Sequence, residues 1–292
     1  MGHYLHYLTR LRTLPHQVLR RLTRSKCSGY ATLEPFVVGK RGLEVGGPSP
    51  FFAQNRLIPV YGRCSAIHNC NFSGQTIWSN PASAQRFGCR FEEQYVGEAC
   101  DLSTIPSSKY DFVLASHVLE HVANPLCALR EWERVLTPGG VLLVILPDKR
   151  ATFDHRRPFT PFAHIEADFQ NNTQDDDLTH LQELLSLHDI RLDPGVSSWQ
   201  EFRERYLQNA SVRGMHHHVF SPETLILMFA HCGMRVLSIS IERPYHIVGF
   251  AQKADPSEQE QVRLHDLTFL SEAAEWKRQD PLRGCSALCL SI

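Results

Sequence analysis

The sequence predicts an α/β fold in which helices cover both faces of a doubly wound, mostly parallel sheet. Continuous apolar segments of strand length, at residues 110–115 and 141–146, alternate with segments of helical periodicity. A polar segment at about 150–215 interrupts this alternation, which predicts a mainly helical cap inserted after the fifth strand. Two apolar segments in close succession, at residues 234–241 and 245–251, predict a final antiparallel hairpin.

Shorter signals place the other elements. The three strands that come first are predicted at residues 42–45, 66–67 and 93–100. Helices are predicted at residues 125–136, 178–187 and 221–232, and residues 77–87 fit either a helix or a loop. Glycine or proline closes several of these segments, as expected where a chain leaves a helix or a strand.

Composition excludes several classes of protein. The 292 residues carry a formal net charge of -1, so no broad basic surface favours nucleic acid as a partner. No apolar run approaches the ~20 residues that span a membrane. The nine cysteines include no CxxC pair and lie mostly in apolar segments, which favours reduced thiols in a cytoplasmic protein over disulfides or a zinc site.

The two ends of the chain differ in composition from its centre. Within the first 28 residues, basic side chains occur without any acidic residue, and leucines recur at helical spacing. We expect a basic helical lid at residues 1–36, although an organelle transit peptide has a similar composition. The α/β domain is expected at residues 37–253 and a polar tail at residues 254–292.

The segment GLEVGGPSP, at residues 42–50, is the first candidate for a ligand-binding turn. Glycines after a strand let the backbone approach a nucleotide, and an acidic residue at a strand end can hold ribose hydroxyls. Prolines stand where such turns usually keep glycine, and a Gly-Gly-Pro turn also occurs for backbone reasons alone. By itself the segment leaves both interpretations open.

A longer motif favours the ligand-binding interpretation. Residues 110–148 read YDFVLASHVLEHVANPLCALREWERVLTPGGVLLVILPD. An acidic residue at the start of the fourth strand, an LEH segment after it and a helix ending in RVLTPGG occur in this order. The motif resembles the central part of class I S-adenosylmethionine-dependent methyltransferases. The resemblance extends from Gly42 to about Ala251 and implies a Rossmann-like, seven-stranded sheet.

The resemblance also implies S-adenosylmethionine as the cofactor. Pro48 stands in place of the second glycine of the family's first motif. Only His68, Asn69 or Asn71 stand near the position where the family usually has an acid that binds the ribose. The implied cofactor contacts are Glu44, Gly46, Gly47, Pro48, Asn69, Asp101, Leu102, Ser116 and His117.

Polar residues in and after the cap supply candidates for catalysis. A hydroxyl acceptor must lose its proton during methyl transfer, and histidine is well suited to remove it. His121, in the LEH segment, is expected to support the entry to the following helix. The candidate general bases are His155, His180, His217 and His218, and the candidate substrate contacts are Arg156, Arg157 and Asp177. If residues 215–220 are extended, His216 and His218 lie on one face and His217 on the other.

We therefore expect a methyltransferase that acts on the oxygen of a small polar acceptor, such as a sugar or glycan hydroxyl. N-methylation of a small amine is one alternative, and a cofactor-binding partner protein without catalytic activity is another. No histidine and carboxylate spacing argues strongly for a metal site, and a divalent metal ion is kept as an additional alternative. The acceptor and the oligomeric state cannot be deduced from the sequence.

Overall fold

Seven strands form a single sheet. The computed structural model describes residues 26–74, 81–243 and 245–255. The strands are β1 (Arg41–Val45), β2 (Ala66–Asn71), β3 (Gln94–Val96), β4 (Tyr110–Ser116), β5 (Leu136–Pro147), β6 (Met234–Glu242) and β7 (His246–Lys253). Their order in the sheet is β3-β2-β1-β4-β5-β7-β6. β1 to β5 are parallel and β7 is antiparallel to both of its neighbours, which confirms the predicted sheet and its final hairpin.

Two strands differ in length from their predictions. β2 continues to Asn71 because its polar side chains are satisfied inside the protein, for example His68 by the Tyr110 hydroxyl at 3.0 Å. Apolar patterning cannot reveal such a strand. β3 is shorter than predicted, since only Gln94–Val96 pairs with β2 before the chain turns away at Gly97.

Eight α-helices accompany the sheet within the described residues. They are α1 (Tyr30–Val37), α2 (Pro81–Phe87), α3 (Pro125–Val135), α4 (Phe162–Gln170), α5 (Leu181–Leu187), α6 (Trp199–Leu207), α7 (Asn209–Val212) and α8 (Pro222–His231). Both α3 and α8 begin at a proline that follows a capping side chain. Asn124 accepts from the Cys127 amide and Ser221 accepts from the Thr224 amide, which satisfies one free donor at each helix start.

Apolar side chains cover both faces of the sheet. On one face, α3 and α8 pack with residues such as Trp132 and Phe229 against β4, β5 and β7. On the other face, α1 contributes Leu33 and Val37, and the loop after β1 contributes Phe52. The central strands are therefore buried on both sides, as their continuous apolar sequences indicate.

The chain between β5 and α8 forms the predicted helical cap. Residues 148–221 contain α4 to α7 and a small apolar core of their own. This core consists of Leu184, Phe202, Tyr206 and Met215, all of which are fully buried. The cap thus carries enough apolar surface to organise its own helices above the sheet.

Residues 1–25 of the predicted lid and nearly all of the predicted tail lie outside the described residues, which begin at Lys26 and end at Asp255. The domain boundaries at residues 36 and 253 therefore stay predictions. In the part of the chain that the structure describes, no helix has the length and apolar character needed to cross a bilayer.

The order of the strands fixes where a ligand can bind. The chain leaves β1 towards β2 on one side and returns to β4 on the other side. At such a switch point, the loops that follow the two strands separate and leave a crevice outside their carboxyl ends. Here the crevice lies between the turn after Val45 and the segment after Ser116.

Candidate functional site

Two glycines shape the turn after β1. Gly46 has φ +84° and Gly47 has φ +65°, a region that other residues rarely adopt. A Cβ on Gly46 would lie 2.4 Å from Val118 Cγ2, and a Cβ on Gly47 would lie 2.3 Å from the carboxyl carbon of Glu44. Both positions therefore require glycine, and no side chain projects from this part of the turn.

Glu44 is fully buried beneath the turn. Its Oε1 accepts from the Ser49 amide at 2.9 Å, and its Oε2 accepts from the Tyr61 hydroxyl at 2.7 Å. Burial raises the pKa of Glu44 to about 8, although both hydrogen bonds act in the opposite direction. Both carboxyl oxygens accept hydrogen bonds from the protein, so Glu44 holds the turn in place.

The prolines alter the chain immediately after the turn. The peptide between Gly47 and Pro48 is cis. Ser49 then caps a short 3-10 helix, Pro50–Phe52, by accepting from the Phe51 amide at 3.3 Å. Residues 46–65, all of them described, contain this one helical turn and no α-helix. The turn after β1 is therefore followed by a single helical turn rather than by an α-helix.

Two asparagines lie at the carboxyl end of β2. Asn69 donates to the carbonyl oxygens of Glu44 at 3.0 Å and Gly46 at 2.7 Å, and its Oδ1 accepts from Asn71 at 2.7 Å. Asn69 thus ties β2 to the turn with all of its polar atoms. Asn71, the last residue of β2, is half-buried, and its Oδ1 has no hydrogen-bond partner among the described residues.

The loop after β3 holds two of the predicted cofactor contacts, Asp101 and Leu102. Asp101 is exposed, and its Oδ1 accepts from the Ser103 amide at 3.0 Å. Hydrogen bonds from the Ser103 side chain and then from its amide hold the pKa of Asp101 below its ordinary value. The Leu102 amide donates to Glu131 at 2.9 Å. Glu98 precedes Asp101 in this loop. Its neighbour Gly97 donates its amide to the carbonyl of Asn71, the last residue of β2, at 3.0 Å. The structure therefore offers Glu98 as a second acid on this side of the crevice.

Ser116 and His117 follow β4 at the opposite side of the crevice. The Ser116 Oγ atom is buried and has no hydrogen-bond partner in the described part of the chain. His117 adopts φ +54°, and its ring nitrogens lie 3.1 Å from His246 Nδ1 and 3.3 Å from Glu120 Oε1. The chain thus turns sharply here and places an imidazole between β7 and the LEH segment.

A buried polar cluster lies beneath the cap. Glu120, His121 and His216 each place a potential ligand atom within 4.8 Å of the others. His121 Nδ1 lies 3.2 Å from the Met215 carbonyl, and burial lowers the pKa of His121 to about 3. Burial alone would raise the pKa of the Glu120 carboxyl, but His117 and the other imidazoles hold it below its ordinary value. One oxygen of Glu120, Oε2, has no hydrogen-bond partner among the described residues.

Asp154 orients His216 within this cluster. The His216 Nδ1 atom lies 2.6 Å from Asp154 Oδ2, and Arg157 Nη1 donates to Asp154 Oδ1 at 3.0 Å. Burial would raise the pKa of Asp154, but His216 and Arg157 hold it well below its ordinary value. A carboxylate at Nδ1 fixes the imidazole as the tautomer whose Nε2 carries a lone pair.

Arg157 is enclosed by the protein. Its side chain is 1% exposed and donates to Asp154, to Glu183 at 2.6 Å and to the carbonyl oxygens of His216 and His217. These contacts hold the segment before α8 against the start of the cap. The residue expected to bind substrate therefore has its guanidinium committed to the protein.

His155 and Arg156 meet at a different carboxylate. His155 Nε2 lies 3.3 Å from Asp189 Oδ2, and Arg156 donates to the same oxygen at 3.0 Å. Burial lowers the pKa of His155. Arg191 also pairs with Asp189, so these residues form an ion-pair cluster within the cap.

The other predicted bases, His180, His217 and His218, also lie in the cap. His217 Nε2 lies 3.1 Å from the Asn209 amide nitrogen, and His218 Nε2 lies 3.1 Å from the Ala123 carbonyl oxygen. Burial lowers the pKa of His217 to about 3 and that of His218 well below its ordinary value. His180 Nε2 lies 3.2 Å from His164 Nε2. Asp177 accepts from the Thr179 hydroxyl at 2.6 Å, as in a local turn.

Sequence reasoning missed several residues at the crevice. Asp154 and His216 each precede a predicted base, His155 and His217, in the sequence. Strand alternation puts His216 on the same face as His218, but His216 is not among the predicted bases. Glu98, in the GEA segment, is also absent from the predicted contacts, whereas Asn71 is one of the three alternatives that the sequence offers for the ribose. The signal that could have found Asp154 is its position soon after β5, at the ligand-binding edge of the sheet.

Comparison with known proteins agrees with this geometry. Residues 59–144 match the family model described as "Methyltransferase domain", which includes β2 to β4, α3 and most of β5. Over these residues the chain is similar to the methyltransferase domains that this family model describes. No curated protein matches it.

Solved methyltransferase structures are distant matches. An S-adenosylmethionine-dependent methyltransferase from Aquifex aeolicus is 15% identical with a TM-score of 0.41, covering 80% of this chain and 93% of that one. One from Mesorhizobium loti is 12% identical with a TM-score of 0.43, covering 77% and 97%. The N-methyltransferase NodS from Bradyrhizobium japonicum is 11% identical with a TM-score of 0.43, covering 84% and 100%. These similarities give no information about the acceptor.

The crevice is compatible with S-adenosylmethionine, the cofactor that the resemblance implies. Gly46 and Gly47 leave the turn after β1 without side chains, and the buried Ser116 hydroxyl, across from that turn, lacks a partner among the described residues. Both features lie at the switch point of the sheet, where open α/β folds bind their ligands.

Proposed function

We propose that the chain is an S-adenosylmethionine-dependent methyltransferase. We further propose that it methylates the oxygen of a small polar acceptor, such as a sugar or glycan hydroxyl, and that His216 is the general base. The observation that carries this proposal is the contact between His216 Nδ1 and Asp154 at 2.6 Å. It leaves Nε2 to accept a proton, and His216 belongs to a cluster that begins soon after β4. We therefore propose His216 as the base, in place of the four candidates that the sequence indicates: His155, His180, His217 and His218.

The proposed mechanism assigns one role to each member of the cluster. When bound, S-adenosylmethionine supplies an electrophilic methyl group for in-line displacement. His216 Nε2 takes the proton of the acceptor hydroxyl, and Asp154 stabilises the resulting imidazolium. Arg157 acts as a positioning residue, because it fixes both Asp154 and the backbone of His216.

The cofactor contacts are proposed in a revised form. Gly46 and Gly47, with Pro48 beside them, form the floor under the methionine part, and Ser116 and His117 lie beside it. Asn71 replaces Asn69 as the ribose contact, since the amide of Asn69 is already used within the protein. For the adenine amino group, Glu98 stands beside Asp101 and Leu102 as a candidate. Glu44 contributes by holding the turn.

The other predicted catalytic residues are weaker candidates than His216. His217 and His218 each have one nitrogen engaged by Asn209 or Ala123, and burial lowers the pKa of both. His155 faces Asp189. Arg156 is 46% exposed and is kept as a substrate contact at the cap surface, and the same is proposed for Asp177.

N-methylation of a small amine is the second candidate. Glu120 Oε2 is a buried carboxylate oxygen without a hydrogen-bond partner among the described residues, and it could accept from an ammonium group of the acceptor. In this case Glu120, rather than His216, makes the first contact with the acceptor.

The partner and the compartment belong to the same proposal. We propose a small-molecule or glycan acceptor rather than nucleic acid, since the formal net charge is -1. A cytoplasmic location is supported by the seven cysteines in the described chain, all of which are free thiols.

The test is methyl transfer to defined acceptors. Purified full-length enzyme and S-adenosylmethionine are incubated with a panel of sugars, oligosaccharides and small amines, and S-adenosylhomocysteine release is followed. We expect a methyl ether as product, identified by mass spectrometry and NMR. His216→Gln is expected to lower kcat by about 10²-fold to 10⁴-fold with unchanged affinity for S-adenosylhomocysteine.

Three outcomes would revise the proposal. A methylated amine as product would support the second candidate. Loss of turnover in His155→Gln but not in His216→Gln would return the base assignment to the sequence prediction. Cofactor binding without turnover on any acceptor would support a non-catalytic partner protein.

A further inference from the structure

Three histidines and one aspartate gather in the cap, away from the proposed base. His164, His180 and His218 each place a ring nitrogen within 4.8 Å of those of the other two. Asp168 adds a carboxylate oxygen that lies 3.3 Å from His164 Nε2 and 3.7 Å from His218 Nε2. We propose that these four residues bind a divalent transition-metal ion, with Zn²⁺ as the expected occupant.

The spacing of these residues suits chelation. His164 and Asp168 are four residues apart on α4, so both side chains lie on one face of the helix. His180 directly precedes α5, and His218 lies in the segment before α8. The sequence motif is His-x-x-x-Asp, which a search for paired histidines passes over.

The distances agree with tetrahedral coordination. Two nitrogens bound to Zn²⁺ at about 2.0–2.1 Å in tetrahedral geometry lie about 3.3–3.4 Å apart. His164 Nε2 and His180 Nε2 are 3.2 Å apart. The three ring centroids are separated by 5.0, 5.5 and 5.8 Å, so each ring lies close to the other two. The ring nitrogen of His218 lies within 4.8 Å of those of His164 and His180, which is compatible with one ion bound between the three rings.

Two donor atoms of the cluster are buried without a hydrogen-bond partner. The His218 side chain is 0% exposed, and neither its Nδ1 nor Asp168 Oδ2 has a partner among the described residues. His218 Nε2 contacts the Ala123 carbonyl at 3.1 Å, as expected if Nε2 carries the proton and Nδ1 carries the lone pair. Metal-binding histidines commonly donate their other nitrogen to a backbone carbonyl in this way.

The local charges are compatible with a cation. His218 is fully buried, and a metal ion binds imidazole in its neutral form. Arg157 is the cation that acts on His180, and it is neutralised by ion pairs with Asp154 and Glu183. Neutral imidazole with one carboxylate is a donor set that suits Zn²⁺.

The second histidine cluster is a poorer metal site. His216 Nδ1 is held by Asp154, and His121 Nδ1 faces a backbone carbonyl. That cluster also belongs to the proposed active site. A metal at His164, Asp168, His180 and His218 would join α4, α5 and the segment before α8, and would stabilise the cap independently of which residue is the base.

The experiment measures metal binding by the full-length protein. After treatment with a chelator, the apoprotein is titrated with Zn²⁺ in competition with a chromophoric chelator, and with Co²⁺ to record visible absorption. We expect one equivalent of tight binding, the intense absorption of tetrahedral Co²⁺ and a raised melting temperature with Zn²⁺. His164→Ala and Asp168→Asn are each expected to weaken Zn²⁺ binding at least about 10-fold.

The matched control is His231→Ala. His231 lies on α8 outside the cluster and is 24% exposed in its side chain, so its removal should leave Zn²⁺ affinity unchanged. Absence of stoichiometric binding would overturn the proposal. Binding that persists in the double variant His164→Ala/His180→Ala, or that is lost only in His216→Ala, would place the metal elsewhere and would also overturn it.

Discussion

At the scale of single residues, buried polar groups determine the shape of the proposed active site. Glu44 holds the turn after β1 through Ser49 and Tyr61, and Asp154 holds the imidazole of His216. Each side chain is therefore required for the geometry of the site, even without a contact to the cofactor or the acceptor. Substitution of either residue should therefore displace the groups that it holds, rather than remove a direct contact with a ligand.

Gly47→Ala should disrupt the turn. The new Cβ would meet the Glu44 carboxyl group, and the backbone at φ +65° is unfavourable for alanine. We expect at least about a 10-fold weaker affinity for S-adenosylhomocysteine, measured by isothermal titration calorimetry, which is about 1.4 kcal/mol. Gly233→Ala is the matched control, because its φ is +69° but no atom lies within 4 Å of the added Cβ. Equal effects of the two substitutions would show that backbone strain alone is responsible.

Glu44→Gln should remove a pH dependence of stability. Because burial raises the pKa of Glu44 from 4.5 to about 8, its favourable contribution is complete below pH 4.5 and is lost as the pH rises towards 8. The wild-type free energy of unfolding should fall relative to that of the variant by up to about 1.4 kcal/mol per pH unit within this window. Urea unfolding across the window measures the difference. Parallel curves for the two proteins would contradict the assignment.

At the scale of elements, polar contacts fasten the cap to the sheet. The His217 amide donates to the Glu120 carbonyl at 2.8 Å, and the Ala123 amide donates to Asp175 at 3.0 Å. Arg213 adds ion pairs of 2.7 Å to Glu98 and 2.6 Å to Asp175. The cap thereby reaches the loops after β3 and β4, on both sides of the crevice.

Arg157→Ala should loosen the cap. The substitution leaves the buried Asp154 carboxylate without its guanidinium partner, and we expect a loss of about 3–5 kcal/mol in the free energy of unfolding. Limited proteolysis should then cut within residues 148–221. Arg156→Ala, at the preceding position but 46% exposed, should cost about 0–1 kcal/mol. Similar losses in both variants would refute a special role for Arg157.

At the scale of the whole molecule, the sequence predicts the sheet better than the site. β4 and β5 can be predicted because a strand buried on both faces is apolar throughout. The contact between Asp154 and His216 cannot be predicted in this way. The two residues are 62 positions apart, and a polar pair leaves no periodic pattern in the sequence. Asn69 and Asn71 illustrate the same limit, since only the contacts of each amide show which one remains available at the crevice.

The most direct test of the account is a crystal structure of the enzyme with S-adenosylhomocysteine. We expect the methionine part to lie over Gly46 and Gly47, the ribose hydroxyls to contact Asn71, and the sulfur to face the space in front of His216 Nε2. A ligand bound outside the crevice between β1 and β4, or a sulfur separated from His216 by the protein backbone, would contradict the account.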